Sequence, residues 1–316
     1  MRQLLTKTGL PGLLSIDTLA RFSGQNFILP FYHIISNENR PHIKHLYRVK
    51  TEGEFEADLD LLLKHYSPIA ATDLPAVLDG RFNGQKIFLL TFDDGLREVH
   101  DVIAPILLRK GVPAIFFLNS AFIDNKALMF RYKVSLLLEL LGNEKSELKN
   151  QLKAQRNDTK LIAETAQQLN LSFETFLKEQ APYMTTEQGK ALLAKGFTIG
   201  AHSVDHPYYE DLSTEEQLRQ TFDSLTFLQQ QFGIKEKLFA FPFTDHGVKQ
   251  QFFAAIFSEG KIDFSFGGAG FKHDVSPKQL QRLAMETSPD AETALRAEYA
   301  YYLLKALLGK NRLSRN

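Results

Sequence analysis

The sequence predicts an α/β fold, a barrel of alternating strands and helices with a helical insertion, and three observations predict it. Short runs of strand-forming apolar residues recur along the chain, several of them ending in polar residues, and segments of helical periodicity separate them. One unit, residues 87–118, reads strand, helix, strand, which requires a right-handed crossover between parallel strands. The 316 residues, 44% of them hydrophobic, suit one large barrel-like domain with insertions, or two modest domains.

Taken in order, MRQLLTKTGLPGLLSIDTLARF has a basic start and several leucines, but Lys7, Gly9, Pro11 and Gly12 interrupt the apolar run. No small-residue cleavage site follows, so the segment reads as an amphipathic helical lead-in, not a signal peptide. NFILPFYHII suggests the first strand, with His33 near its end. His33 is then either a substrate-side group near a site or a core or capping histidine. His42 and His45 in PHIKHLY are three apart, yet no flanking strand or carboxylate accompanies them, and a loop over the barrel mouth is expected. Thr51 with Glu54 makes a capping box for a helix to His65. A short strand near Ser67–Ala71 and a helix over Leu74–Leu78 follow.

The next strand, IFLLTF from Ile87, has no polar face, as befits a strand buried on both sides of a parallel sheet. It ends in Asp93, Asp94 and Gly95. Helical periodicity over Val99–Leu108 stops at Gly111, and AIFFLN from Ala114 is the following strand. Residues from about 125 to 190 contain helical and charged stretches without a strand pattern and read as an insertion, whose first residues, 125–132, leave a strand end and are candidates to line the site. The alternation resumes with strand FTIGAH, a helix over Thr214–Gln231 capped by Ser213 with Glu216 three residues on, strand LFAFPF, a helix over Val248–Phe257 and strand IDFSFG. The C-terminal Ala291–Leu308 segment is an amphipathic helix expected to close the barrel. The organisation is thus a helical lead-in at 1–26, a barrel domain at 27–290, and a C-terminal helix with a basic tail at 291–316.

Composition narrows the function. The 37 basic and 37 acidic residues cancel, which argues against a general attraction to nucleic acid or anionic lipid. No stretch approaches the roughly 18 apolar residues of a membrane span, and without an export signal a cytoplasmic protein is expected. The chain has 26 Phe and 10 Tyr but no Trp or Cys. Sugar stacking would therefore fall to Phe and Tyr, and any metal to His and carboxylates.

Two strand ends supply those groups. Asp93 and Asp94 sit where catalytic residues collect in α/β folds, although a pair of helix caps would read the same way. About a hundred residues on, His202 and His206 follow the strand FTIGAH, and Pro207 makes a turn the expected way of presenting them. An H-x-x-x-H spacing alone is a weak signal. Joined to the paired aspartates, it makes a set suited to a catalytic zinc-type ion with positions left for water and substrate.

TFDDG at 91–95 and AHSVDHP at 201–207 resemble the first two signature motifs of the polysaccharide deacetylases, the NodB-homology domain of carbohydrate esterase family 4. FAFPF at 239–243 is similar to the family's aromatic-proline motif, which lines one side of the site. The resemblance spans about residues 27–290 apart from the insertion, and implies a distorted (β/α) barrel of TIM-like kind. It also implies a divalent metal, zinc first with cobalt, nickel or iron(II) as alternatives, that serves removal of an acetyl group from an N-acetylated sugar. By position Asp93 matches the base, and Asp94, His202 and His206 match the metal ligands. Pro242 and Phe243 fall on the substrate side, with the Phe243 N–H matching the oxyanion donor.

The chain departs from that pattern in three places. Ala240 stands where many members carry an arginine, and Arg282 in QRLAME is the expected replacement partner of Asp93. No Asp/Trp motif is recognisable. The late L-x-H motif, whose histidine protonates the leaving amine, is missing, which leaves His273, and next His246, as candidate acids. The expected function is a metal-dependent deacetylase of an N-acetylated amino sugar in a glycan or its precursor. The alternatives are a hydrolase of a non-sugar amide or cyclic imide on the same scaffold, or a glycan-binding protein without catalysis. The oligomeric state is left open by the sequence.

Overall fold

The computed structural model describes residues 14–142 and 146–315. The first thirteen residues of the expected lead-in lie outside the described residues; the remainder forms helix α1 (Ile16–Ser23), with Ser15 capping its N-terminus. The first two strand segments, β1 (Phe27–Ile28) and β2 (Pro30–Tyr32), are interrupted only by Leu29. Helix α2 (Glu52–His65) carries the Thr51/Glu54 capping box with both reciprocal hydrogen bonds made. Strand β3 (Ser67–Pro68) and helix α3 (Leu74–Leu78) come next, then β4 (Ile87–Phe88) and β5 (Leu90–Phe92). The helix expected over Val99–Leu108 begins as a π-turn, Val99–Ile103, and becomes α-helical only in α4 (Ala104–Lys110), which Gly111 ends at φ +65°.

Strand β6 (Ala114–Leu118) leads into five helices, α5 (Phe130–Leu140), α6 (Glu147–Lys153), α7 (Lys160–Gln168), α8 (Phe173–Gln180) and α9 (Thr186–Ala194). The rest alternates: β7 (Thr198–Ala201), α10 (Thr214–Phe232), β8 (Leu238–Ala240), α11 (Gln250–Phe257), β9 (Phe264–Gly267), β10 (Gln279–Gln281), β11 (Leu283–Ala284) and α12 (Ala291–Leu307). Ser213 caps α10 as expected, but Glu216 is drawn to Arg219 and forms no reciprocal box.

All strand pairs are parallel. The main sheet has the order β10-β9-β8-β7-β6-β5-β2-β11. Its two end strands, β10 and β11, are separated in sequence by Arg282 alone, so the ring closes through that residue. This is the distorted (β/α) barrel expected from the sequence. The period of two along each strand sorts the core. Leu29, Leu89, Ile115, Phe117 and Phe266 fill the barrel, while Phe88, Leu90, Phe92, Phe116 and Ile199 pack outward beneath the helices. The insertion has a core of its own around Leu137, Leu152 and Ile162. Helix α12 packs on α1 and α2. No helix among the described residues is long and apolar enough to cross a membrane.

Candidate active site

Because residues 29, 31 and 33 share a parity with 89, 91 and 93, the inward face of the barrel delivers His33 and Asp93 to the same end. Asp93 is fixed by a hydrogen bond from its N–H to the Tyr32 carbonyl, 3.0 Å, and by a buried two-pronged pairing with Arg282, Nη1–Oδ1 2.7 Å and Nη2–Oδ2 2.8 Å. The same guanidinium bonds Thr91 and the Gly267 carbonyl and lies over the ring of Phe31 at 4.5 Å. Burial pushes the Asp93 carboxyl up, but Arg282 and then His202 outweigh it and leave it below its ordinary value.

Asp94 takes φ +71°, Gly95 φ +67°. A Cβ at Gly95 would stand 3.0 Å from Leu118 Cδ2, so the turn after the aspartates requires glycine. Of the nine non-glycine residues at positive φ among the described residues, four are Asp94, Ser203, His206 and Phe243. Strain of this kind collects where a site dictates side-chain direction.

His202, just past β7, donates Nδ1–H to the Ala240 carbonyl at 2.9 Å, which leaves the Nε2 lone pair free. Asn119 at the end of β6 binds the His202 carbonyl. The His202–His206 segment is a turn, with the His206 N–H on Ser203 Oγ at 3.0 Å. His202 Nε2 lies 3.5 Å and His206 Nε2 3.2 Å from Asp94 Oδ1, and all three groups are buried within 4.8 Å of one another. Asp94 Oδ1 has no hydrogen-bond donor, while Oδ2 accepts from Tyr132 Oη at 2.7 Å. Burial raises the Asp94 pKa, yet the histidines hold it well below the carboxylate range. His206 is pushed down, chiefly by burial, toward its neutral form. Two imidazole lone pairs and an undonated carboxylate oxygen that converge in this way fit a divalent ion of zinc type.

His33 is held by Glu286, which accepts from its Nδ1 at 2.6 Å and its backbone N–H at 2.7 Å. Burial alone lowers the His33 pKa; Glu286, assisted by Asp94 and Asp93, overrides it and raises it to about 9. Its ring stacks on Tyr47 at 4.5 Å. Phe243, 38% exposed, follows Pro242 at φ +53°. Its ring stacks on Tyr208 at 3.8 Å and meets His206 edge-on at 4.3 Å. Arg156 of the insertion covers the Tyr208 ring at 3.9 Å and pairs with Glu210 and Asp211.

A cavity of about 240 Å3 brings Asp93, Asp94, His202, His206, His33 and Arg282 together. His273 is not among its residues and cannot serve there as an acid. It pairs through its backbone with Asn311 and Leu313, its ring contacts Gln25 and Tyr302, and it lines a different cavity with Phe27 and Ile87, which begin their strands. The loop from β9 has by then returned to the far end of the barrel. His246 is an exposed residue beside Glu210. His42 packs between Tyr132 and Phe176, and His45 pairs with Glu139 of the insertion. Sequence reasoning missed Glu286 and Tyr132. Glu286 shares the parity of Arg282 in QRLAME, a signal that was available; for Tyr132 the signal was its place in the 125–132 segment that leaves a strand end, which does not name its partner, 38 residues away.

The sequence profile described as "Polysaccharide deacetylase" matches residues 81–251, more than half of the chain, across all three motifs. The chain belongs to the polysaccharide deacetylase family. Members are hydrolases of carbon–nitrogen bonds other than peptide bonds, so this deacetylase-family chain is an enzyme of that class with a glycan as its kind of substrate. The family is metal-dependent, in keeping with the Asp-His-His group. No curated protein matches the chain in sequence. Among solved structures, the deacetylase PplD of Streptococcus pyogenes, in complex with acetate, is similar in fold at TM-score 0.57 and 16% identity over 86% of this chain and 97% of that one. IcaB from Ammonifex degensii is similar at TM-score 0.54 and 18% identity over 86% and 96%. A de-N-acetylase from Aggregatibacter actinomycetemcomitans is similar at TM-score 0.55 and 14% identity over 83% and 95%. The matched residues 81–251 leave out His33, Arg282 and Glu286, which the barrel closure brings to the site.

Proposed function

We propose that this chain removes the acetyl group from an N-acetylated amino sugar of a glycan or glycan precursor, with zinc held by Asp94, His202 and His206. The observation that carries the reading is the juxtaposition, beside those three residues, of Asp93 paired with Arg282 and His33 paired with Glu286. A zinc ion bound there supplies Lewis acidity toward water and the acetyl carbonyl.

The remaining steps belong to the protein. Asp93, kept ionised and aimed by Arg282, accepts a proton from the water that adds to the carbonyl carbon. The oxygen that becomes negative meets the Phe243 N–H. His33, kept protonated by Glu286, delivers its proton to the amine nitrogen as the C–N bond breaks, so acetate and a free amino sugar leave. The acid assigned from sequence to His273 is thereby moved to His33. The acetate complex of the Streptococcus pyogenes relative is consistent with such a product.

The test is acetate release from N-acetylglucosamine oligosaccharides by metal-stripped protein, with zinc restored, beside Asp93→Asn. Zinc-dependent release lost by at least ~100-fold in the variant is expected. Release that survives Asp93→Asn or needs no metal sinks the mechanism. A small acidic amide or imide is the second reading, favoured by Arg131 in the cavity wall. Hydrolysis of such an amide with no release from any N-acetylated sugar would establish it instead.

A further inference from the structure

The insertion contributes a cation to the cavity that the chemistry above leaves unused. Besides His202 and His206 of the Asp-His-His group, three basic side chains line this cavity, His33, Arg282 and Arg131. The first is paired with Glu286 and the second with Asp93. Arg131 has no carboxylate partner among the described residues. Its Nη1 donates to the carbonyl oxygens of Lys153 at 3.0 Å and Gln155 at 3.4 Å, at the C-terminal end of α6. Those carbonyls aim the guanidinium without neutralising it. Of its five N–H donors, those on Nε and Nη2 take no hydrogen bond among the described residues. Arg131 is also the second residue of α5, where the helix dipole disfavours a cation. A bound anion removes that penalty.

We propose that Arg131 recognises an anionic substituent, a phosphate or a carboxylate, on the N-acetylated sugar whose acetyl group is removed. The proposal rests on the deacetylase reading and narrows its substrate class. The planar fork of a guanidinium matches either oxyanion through two parallel hydrogen bonds. The cavity, about 240 Å3, lies below the roughly 300–1,000 Å3 of most ligand pockets. One sugar unit with its substituent fills it, and any further glycan lies outside.

Binding is measured by calorimetry on zinc-loaded Asp93→Asn protein, with N-acetylglucosamine 1-phosphate, N-acetylmuramic acid and neutral N-acetylglucosamine as probes. One of the two anionic sugars should bind about tenfold or more tightly than the neutral one, and which of them does so identifies phosphate or carboxylate as the partner. Adding Arg131→Gln should erase that preference, while Arg131→Lys keeps part of it, because a lysine preserves the charge without the fork. Equal binding of all three sugars, no binding of any, or a loss in Arg131→Gln that is the same for all three would overturn the proposal; the last pattern marks Arg131 as a mere anchor of α6. Thermal midpoints of the variants guard against unfolding. Acetate release by the wild-type protein, which does not depend on this comparison, decides the deacetylase reading separately.

Discussion

At the scale of single residues, the site depends on two ion pairs, in each of which one partner holds the charge of the other. Glu286 holds His33 as a cation, with a pKa of about 9. Since that value lies above the ordinary 6.5, the pair stabilises the fold fully below about pH 6.5 and loses that contribution as the pH rises through about 9. A bound divalent ion opposes the pull of Asp93 and Asp94, so the basic limb of kcat/KM should fall between those two values. Glu286→Gln should move that limb down by roughly one to three pH units, read from pH–rate profiles of the two proteins. An unmoved limb would remove His33 as the acid. The Arg282–Asp93 pair works in the opposite direction, holding a carboxylate pKa below its ordinary value where burial alone would raise it. Asp93 is therefore available as a base at neutral pH, paired with Arg282 in a chain that has alanine at position 240.

At the scale of elements, strand ends deliver the chemistry and the insertion completes it. The turns after β5, β7 and β8 carry Asp93–Asp94, His202–His206 and Pro242–Phe243, and the strained φ values at Asp94, His206 and Phe243 are what aim them. Helix α5 adds the Tyr132 hydroxyl on Asp94, so the insertion orients a carboxylate of the Asp-His-His group while also presenting Arg131. Tyr132→Phe should weaken zinc binding about 10- to 100-fold, measured by competition with a chromogenic chelator, and leave Asp93 and His33 in place. Unchanged affinity would reduce the insertion's contact with Asp94 to packing. Arg156, stacked on Tyr208 behind Phe243, ties the same insertion to the turn that carries Phe243.

At the scale of the whole molecule, the Asp-His-His group joins the turns after β5 and β7, so ion binding there should register as global stability. Zinc at a free concentration a hundred times its Kd should stabilise the stripped protein by about 2.7 kcal/mol, seen as a rise of the thermal midpoint, and His202→Ala should abolish that rise. A rise that persists in His202→Ala would place the ion elsewhere. The same scale explains what could be read in advance. The α/β barrel was legible because its strands are short apolar runs with no polar face, separated by helices that announce their caps, as Thr51 and Glu54 do. Asp93, Asp94, His202 and His206 were legible as candidates because each pair interrupts such a run at its C-terminal end. By itself the sequence determined these local matters, since periodicity, capping and turn chemistry act over a few residues. Tertiary structure alone decided that His33 rather than His273 reaches the cavity, that Glu286 charges it, and that Tyr132 and Arg131 of the insertion join the site. Those pairings span tens to hundreds of residues, and only the closure of the barrel at Arg282 brings its first and last strands side by side.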